Sequence, residues 1–491
     1  MAHATLPAAL ASHAASRPHA IALYFEGQAI SYGDLWRRIE AATQTLMALG
    51  LKVEATDSCG PRVAYLGLNS PAQLVLLVAL QRLGAVGLPL NYRLAPAEFS
   101  AILLHAQASL LVADEMHAAV ASSLLPDLRT VAAALFDGTA SLRHAGVHIT
   151  EPPPSEPALL VYTSGTTGSP RAAVHTQANL VANMRIAAQV QQITDQDRVL
   201  TVLPLFHVGG LCIQTLPALY AGASVTLLDR FGADATLDAL ANERPSLTLQ
   251  VPATMQALVD HPRWPQADLS CLRAVWAGSS VLPVPLVRAF LDRGVPLCNV
   301  YGATETGPFS IALPPAAAHT HGGSCGWPAP GVEAMLGGGK QGSGELLVRG
   351  PNVVARYWPD QPACDGHGWF HTGDLATRAA DGSYTVTGRS SDLIISGGEN
   401  IHPLEIEAAL CAHPAVAECA AFGLNDARWG EAVAVAVVLH VGAALSDDAL
   451  RDHLAGRLAR FKLPRRVFFV EALPKTALGK VQRAALKALA N

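Results

Sequence analysis

Residues 161–171 read Val-Tyr-Thr-Ser-Gly-Thr-Thr-Gly-Ser-Pro-Arg. Thr163, Ser164, Thr166 and Thr167 set four hydroxyls within five positions, and Gly165 and Gly168 let backbone N–H groups close around an anion. Such a loop can hold phosphates. It is not the Walker type, which needs Gly where Pro170 stands and which opens a helix. Apolar segments at 158–162 and 172–175 instead predict a short buried strand on each side, with the loop at a hairpin.

Further along, single residues of chemical use stand beside glycines. Glu305 closes Tyr301-Gly-Ala-Thr-Glu305, Asp374 follows Gly373 in an expected turn, Arg389 follows Gly388, and Lys480 follows Gly479. A carboxylate can ligate Mg²⁺ beside phosphate oxygens, and a cation can offset charge that develops on a phosphate. Taken singly, each also has a plainer reading: a solvated loop acid, a capping aspartate, a surface arginine, an exposed lysine. His207 is expected to end a buried strand before Val208-Gly209-Gly210, either as a packed histidine or as the gate of an apolar pocket. Two apparent motifs are set aside. Gly337-Gly-Gly339-Lys-Gln-Gly342 has dinucleotide-fingerprint spacing, but a strand at 345–348 follows it where a helix is required. His319-Thr-His321 lacks further ligands at metal-binding spacing.

The ordered set of segments resembles the adenylate-forming superfamily of acyl-CoA synthetases, adenylation domains and luciferases. The resemblance is carried by the hydroxyl-rich loop, Leu203-Pro-Leu-Phe-His207, Tyr301-Gly-Ala-Thr-Glu305, Gly344-Glu-Leu-Leu-Val-Arg-Gly350 and Trp369-Phe-His-Thr-Gly-Asp374. Gly388-Arg389, Ser396-Gly-Gly-Glu-Asn-Ile-His402 and Leu473-Pro-Lys-Thr-Ala-Leu-Gly-Lys480 continue it, so that it covers most of the chain. It implies an ATP-dependent acid:CoA ligase. An acyl-adenylate forms with release of pyrophosphate, then an acyl-CoA thioester with release of AMP. ATP, Mg²⁺ and coenzyme A are the cofactors implied, and a small-molecule carboxylic acid is the remaining partner.

The resemblance also assigns roles. Lys480 bridges the carboxylate and the α-phosphate, Glu305 ligates Mg²⁺, and Thr304 lies near the phosphate. Thr163, Ser164, Gly165, Thr166, Thr167 and Gly168 hold the phosphates. Adenine lies between Tyr301 and the turn Gly278-Ser279-Ser280, with Gly302 giving it room to approach, and the ribose meets Asp374 and Arg389. His207 gates an acyl pocket lined by Val208, Gly209, Trp276 and Gly307, with Gly209 and Gly210 leaving space behind it. Backbone at Ser396, Gly397 and Gly398 shapes a thiol tunnel, and Trp429 and Phe461 cover the adenine of CoA. Its phosphates suit the local basic run Arg451, Arg457, Arg460, Lys462, Arg465 and Arg466.

Amino-acid-activating relatives carry Asp at the position of His207 to pair a substrate ammonium, so an α-amino acid is disfavoured. The segment Ser396–Pro403 is similar to fatty-acyl, aryl and benzoyl ligases, and a medium or long fatty acid and an aromatic acid both stay open. Loading of a carrier-protein pantetheine and a non-catalytic nucleotide-binding regulator are the rival functions. Two positions depart from the family pattern: Arg171-Ala172 replaces Lys-Gly, and Ser391 replaces a hinge Asp or Lys.

Elements must position these residues. A chain of 491 residues exceeds one ordinary core. Half of it is hydrophobic and 15% is charged, which is a globular composition. A net charge of −5 gives no sign of nucleic-acid binding. Eight scattered cysteines without a C-x-x-C pair point to reduced thiols and a cytoplasmic location. No apolar run is long enough for a transmembrane segment. A homodimer is left open.

Strands at 62–68, 85–89 and 110–113 alternate with helices Pro71–Leu83 and Pro96–Ala106, which predicts a sheet with crossover helices. A helix over Leu6–Ser16 is expected to pack on this first lobe. A second α/β stretch runs to about residue 314, and a Gly/Pro-rich β region fills about 315–388. The fold expected is α/β: a large N-terminal domain, 1–388, of layered α/β subdomains plus a β-rich subdomain, and a small mobile α+β C-terminal domain, 389–491.

Overall fold

The computed structural model describes residues 3–51, 59–138, 151–163, 171–278, 282–338, 342–396, 399–426, 429–455, 457–476 and 480–490. Among these, strands form four sheets. The expected strands of the first lobe occur as Arg62–Leu66, Val86–Leu90 and Ala108–Ala113, all parallel to one another. The helices Leu6–Ser16, Pro71–Leu83 and Pro96–Ala106 have the expected bounds.

Local chemistry sets such limits. Ser70 accepts the Gln73 N–H at 3.3 Å, Pro71 occupies the first turn, and Gly84 closes the helix in the left-handed region at φ +71°. Between them Pro71–Gln81 are buried without exception, because this helix has no polar face to give to solvent.

The first sheet continues as a hairpin, Pro157–Thr163 with Arg171–Thr176, antiparallel as the flanking apolar segments require. It then recruits Arg356–Trp358 and Gln361–Pro362 from far along the chain. The second large sheet carries Arg198–Thr201, Ser224–Leu227, Leu247–Gln250, Ala274–Ala277 and Leu297–Tyr301 in parallel, edged by Ile21–Phe25 with Gln28–Ser31 and by Ile311–Ala312 with Trp327–Pro328. Thus the expected β region is divided. Only Glu333–Gly337, Ser343–Arg349, Phe370–Arg378 and Tyr384–Arg389 form its own four-stranded sheet. One continuous apolar core joins the helix Leu6–Ser16, both large sheets and this smaller one.

The last sheet starts at Ile394–Ser396 and is built on the long hairpin Val416–Asp426 with Gly430–Leu439. Its residues alternate between two cores. Val433, Val435 and Val437 face the helices Pro403–Cys411 and Asp447–Ala455, the latter through Leu450 and Leu454. Ala434 and Ala436 face Phe422, Leu473 and Leu486 of the helix Arg483–Leu489. A large N-terminal and a small C-terminal domain are therefore present in a mixed α/β fold. No described helix is long and apolar enough to cross a membrane.

Candidate active site

Thr163 and Arg171 are cross-strand partners, so the hydroxyl-rich loop leaves and re-enters its sheet at one point. Its residues Ser164, Gly165, Thr166, Thr167 and Gly168 lie outside the described residues, as do Ser279, Ser280, Gly397 and Gly398.

The strand Leu297–Tyr301 of the second large sheet ends at Tyr301. Its phenol donates to Asp374 Oδ2 at 2.7 Å, and Arg389 Nε pairs with Asp374 Oδ1 at 2.9 Å. Asp374 is not in the expected turn. It lies within Phe370–Arg378, directly opposite Arg389 on Tyr384–Arg389. Register therefore aims carboxylate and guanidinium at each other. Burial first, and the Asp374 charge second, push the Tyr301 phenol well above its ordinary value, so it stays a neutral donor.

Gly302 has a different reason from the one expected. A Cβ there would lie 1.6 Å from Pro308 O, so the missing side chain is needed for backbone to cross backbone. Gly278 is similar, with Val300 O 2.8 Å from its added Cβ.

Thr304–Thr306 is a single 3-10 turn bearing Glu305. Three contacts from a distant segment hold it. Asn352 Nδ2 donates to Thr306 O at 2.5 Å, Val354 N to Glu305 O at 2.8 Å, and Tyr357 OH to Glu305 Oε1 at 2.9 Å. Among the described residues Glu305 Oε2 has no hydrogen-bond or ion-pair partner. A carboxylate held through one oxygen, with the other unpartnered among the described residues, suits Mg²⁺. His175, on the strand leaving the loop, is completely buried. Burial pushes its pKa down to about 4, so its ring is neutral; the Thr304 backbone lies beside it, yet neither ring nitrogen makes a well-formed hydrogen bond among the described residues.

His207 does not end a strand. That strand stops at Thr201, and His207 caps the turn Val208–Gly210, its Nδ1 accepting Gly209 N at 3.0 Å. Burial, then the Lys480 charge, lowers its pKa to about 4, so this ring is neutral too. A Cβ at Gly209 would meet only the His207 ring within 4 Å, whereas one at Gly210 would strike Pro204 O at 2.3 Å. Gly210 is there for backbone packing, whereas at Gly209 only the neighbouring imidazole limits a side chain. Trp276 is fully buried, 5.6 Å from the Phe309 ring, and its indole N–H has no partner among the described residues. Gly307 has φ +90° and its added Cβ would lie 2.9 Å from Asn352 O, so a structural demand accounts for that glycine as well.

Lys480 lies over this cluster. Its amine is lowered from the ordinary lysine value by burial and by Arg389, against the opposing pull of Asp374 and Glu305. The residue as a whole stays exposed, so the crowding is local to its head group. One lysine thus senses Asp374, Arg389, Glu305 and His207 together. Ser396, in contrast, is buried within the small sheet, paired with Gly430. Trp429 stacks under the Arg465 guanidinium at 4.7 Å, and Phe461 is exposed on the turn Arg460–Lys462. The basic run is less free than its sequence implies, because Lys462 pairs with Glu405 at 2.5 Å and Arg451 with Asp447 at 3.6 Å.

Sequence reasoning brought Tyr301, Asp374, Arg389, Glu305, His207 and Lys480 to one place and missed Asn352, Tyr357 and His175. None of the three stands in a motif that the chain itself makes visible.

The description "AMP-binding enzyme" matches residues 10–358 and "AMP-binding enzyme C-terminal domain" residues 405–480. The chain is 42% identical to an indoleacetate–CoA ligase of Aromatoleum aromaticum, over 96% of this chain and 95% of that one. It is 38% identical to a feruloyl-CoA synthase of an Amycolatopsis species, over 94% of each. Among solved structures it resembles an o-succinylbenzoate CoA synthetase of Bacillus subtilis in complex with its acyl-adenylate, with TM-score 0.88 and 29% identity over 98% and 97% of the two chains.

Proposed function

The chain belongs to the AMP-binding enzyme family, and on that footing we propose that its acid substrate is aromatic. It is an ATP-dependent acid:CoA ligase that uses Mg²⁺. A carboxylate oxygen attacks the α-phosphorus and pyrophosphate leaves; the CoA sulfur then attacks the acyl carbon and AMP leaves.

The observation that carries the site assignment is the bonded set Tyr301–Asp374–Arg389, whose charges, with that of Glu305, act on the Lys480 amine. In this reading the Lys480 ammonium offsets the negative charge that grows as carboxylate and α-phosphate join. Asp374 and Arg389 take the ribose, and Tyr301 backs the adenine. Bound Mg²⁺, held through Glu305, would draw charge from the phosphate oxygens. The aromatic assignment is supported by the indoleacetate and feruloyl relatives. A panel of aryl, arylacetic and fatty acids scored by CoA-dependent AMP release tests it. Selective turnover of fatty acids would overturn it, and AMP release that needs a carrier protein would overturn the choice of CoA as acceptor.

Gly209→Phe should fill the space beside His207. The expected result is a loss of about 10-fold or more in kcat/KM for a bicyclic arylacetic acid relative to a short aliphatic acid. An unchanged ratio would place the acyl pocket elsewhere.

We place the domain boundary at Arg389, after which the small domain turns between the two steps. The exposed single turn Ser390–Asp392 is the proposed pivot. Proline at 391 restricts its own φ and the residue before it. Ser391→Pro should therefore leave single-turnover pyrophosphate release near normal and slow thioester formation. Wild-type rates in both steps would remove the pivot from this turn.

A further inference from the structure

The segment Asn352–Tyr357 has no part in the roles given so far, yet it touches the metal turn three times. Asn352, completely buried, binds Thr306 O; the Val354 N–H binds Glu305 O; Tyr357 binds the Glu305 carboxylate itself. The strand Arg356–Trp358 pairs with Arg171–Thr176, Tyr357 facing Ala173, so the same sheet that launches the phosphate loop carries this segment. Tyr357 also lies under Arg171, whose guanidinium carbon is 5.9 Å from the ring centroid. One tyrosine thus meets the metal carboxylate through its hydroxyl and the loop cation through its face.

We propose that Tyr357 is a positioning residue for Mg²⁺. It fixes which Glu305 oxygen faces the metal and holds Arg171 against its ring face. The physical basis is twofold. A carboxylate on a short turn can rotate, and a hydrogen bond to one oxygen presents the other; partners of this kind change metal affinity or activity by about 10–100-fold. A guanidinium over an aromatic face is held without losing its outward donors. Arg in place of the family's Lys at 171 fits this platform, because a planar guanidinium stacks on a ring where an ammonium acts as a point charge.

This inference rests on Glu305 being the metal carboxylate, and the two can fail separately. Tyr357→Phe keeps the ring and removes the hydroxyl. Its half-saturating Mg²⁺ concentration for adenylation should rise about 10-fold, and Mn²⁺ binding in the presence of ATP, read by electron paramagnetic resonance, should weaken in parallel. Metal-free AMP binding should be unchanged, and a supplied acyl-adenylate should form thioester at the wild-type rate. On a Glu305→Ala background the substitution should add no further loss. A wild-type Mg²⁺ and Mn²⁺ response, an equal weakening of AMP binding, or full additivity with Glu305→Ala would overturn the proposal. Glu305→Ala with an unaltered metal response would instead overturn the assignment beneath it.

Discussion

Lys480→Ala is expected to lower adenylate formation by about 10²-fold or more, the usual scale for removing a charge partner of a transition state. The same variant should convert a supplied acyl-adenylate to thioester at the wild-type rate, because that step expels AMP from a bond already made. The amine also predicts a pH dependence. Crowding by protein and by Arg389 puts its pKa below that of a free lysine. As pH rises through that lowered value the ammonium is lost, so adenylation should fall at a less alkaline pH than an unperturbed lysine would give. Lys480→Arg, whose side chain stays protonated, should abolish this alkaline limb whatever its rate. Equal loss in both half-reactions for Lys480→Ala would remove Lys480 from its role.

Asp374→Ala should have a comparable effect of a different kind. The carboxylate is 8% exposed and holds both the Tyr301 phenol and Arg389. Two ribose hydrogen bonds to a charged acceptor, at about 1.5 kcal/mol or more each, correspond to roughly 10²-fold in the KM for ATP. The Tyr301 hydroxyl would lose its charged acceptor as well, which adds a stability cost of about 1 kcal/mol. Unlike the lysine variant, this one should weaken both half-reactions, since the acyl-adenylate carries the same ribose. Asp374→Asn, which keeps one acceptor, should recover part of the loss. A wild-type KM for ATP in Asp374→Ala would exclude the ribose contact.

Much of this site was legible because its chemistry is local. The loop at 163–171 announces itself through hydroxyls and glycines a few positions apart, and Glu305 and Lys480 stand in short segments with recognisable neighbours. Helix limits such as Ser70-Pro71 and Gly84 are local in the same way, being set by caps and by allowed φ. Other readings name the right residue without its structural reason. Gly302 and Gly210 are expected to leave ligand space, and backbone oxygens at 1.6 and 2.3 Å from their added Cβ atoms already demand glycine with no ligand present. A glycine in a sequence does not say what approaches it. His207 and Asp374 were placed at a strand end and in a turn, and the structure exchanges both settings for a cap and a strand.

The sequence by itself determined the reaction class, the order of the elements and most of the charged groups gathered at the candidate site. The tertiary structure alone decided what holds those groups in place. Tyr301 meets Asp374 across 73 positions, and Tyr357 meets Glu305 across 52. Both contacts depend on sheet register and on which sheet a late strand joins. Arg356–Trp358, drawn from the β-rich region into the first sheet, illustrates the second condition. The physical reason is range. Propensity, capping and loop composition act over a few residues, whereas strand pairing is selected by the packing of whole faces, and a hydrogen bond between distant segments exists only after that selection is made.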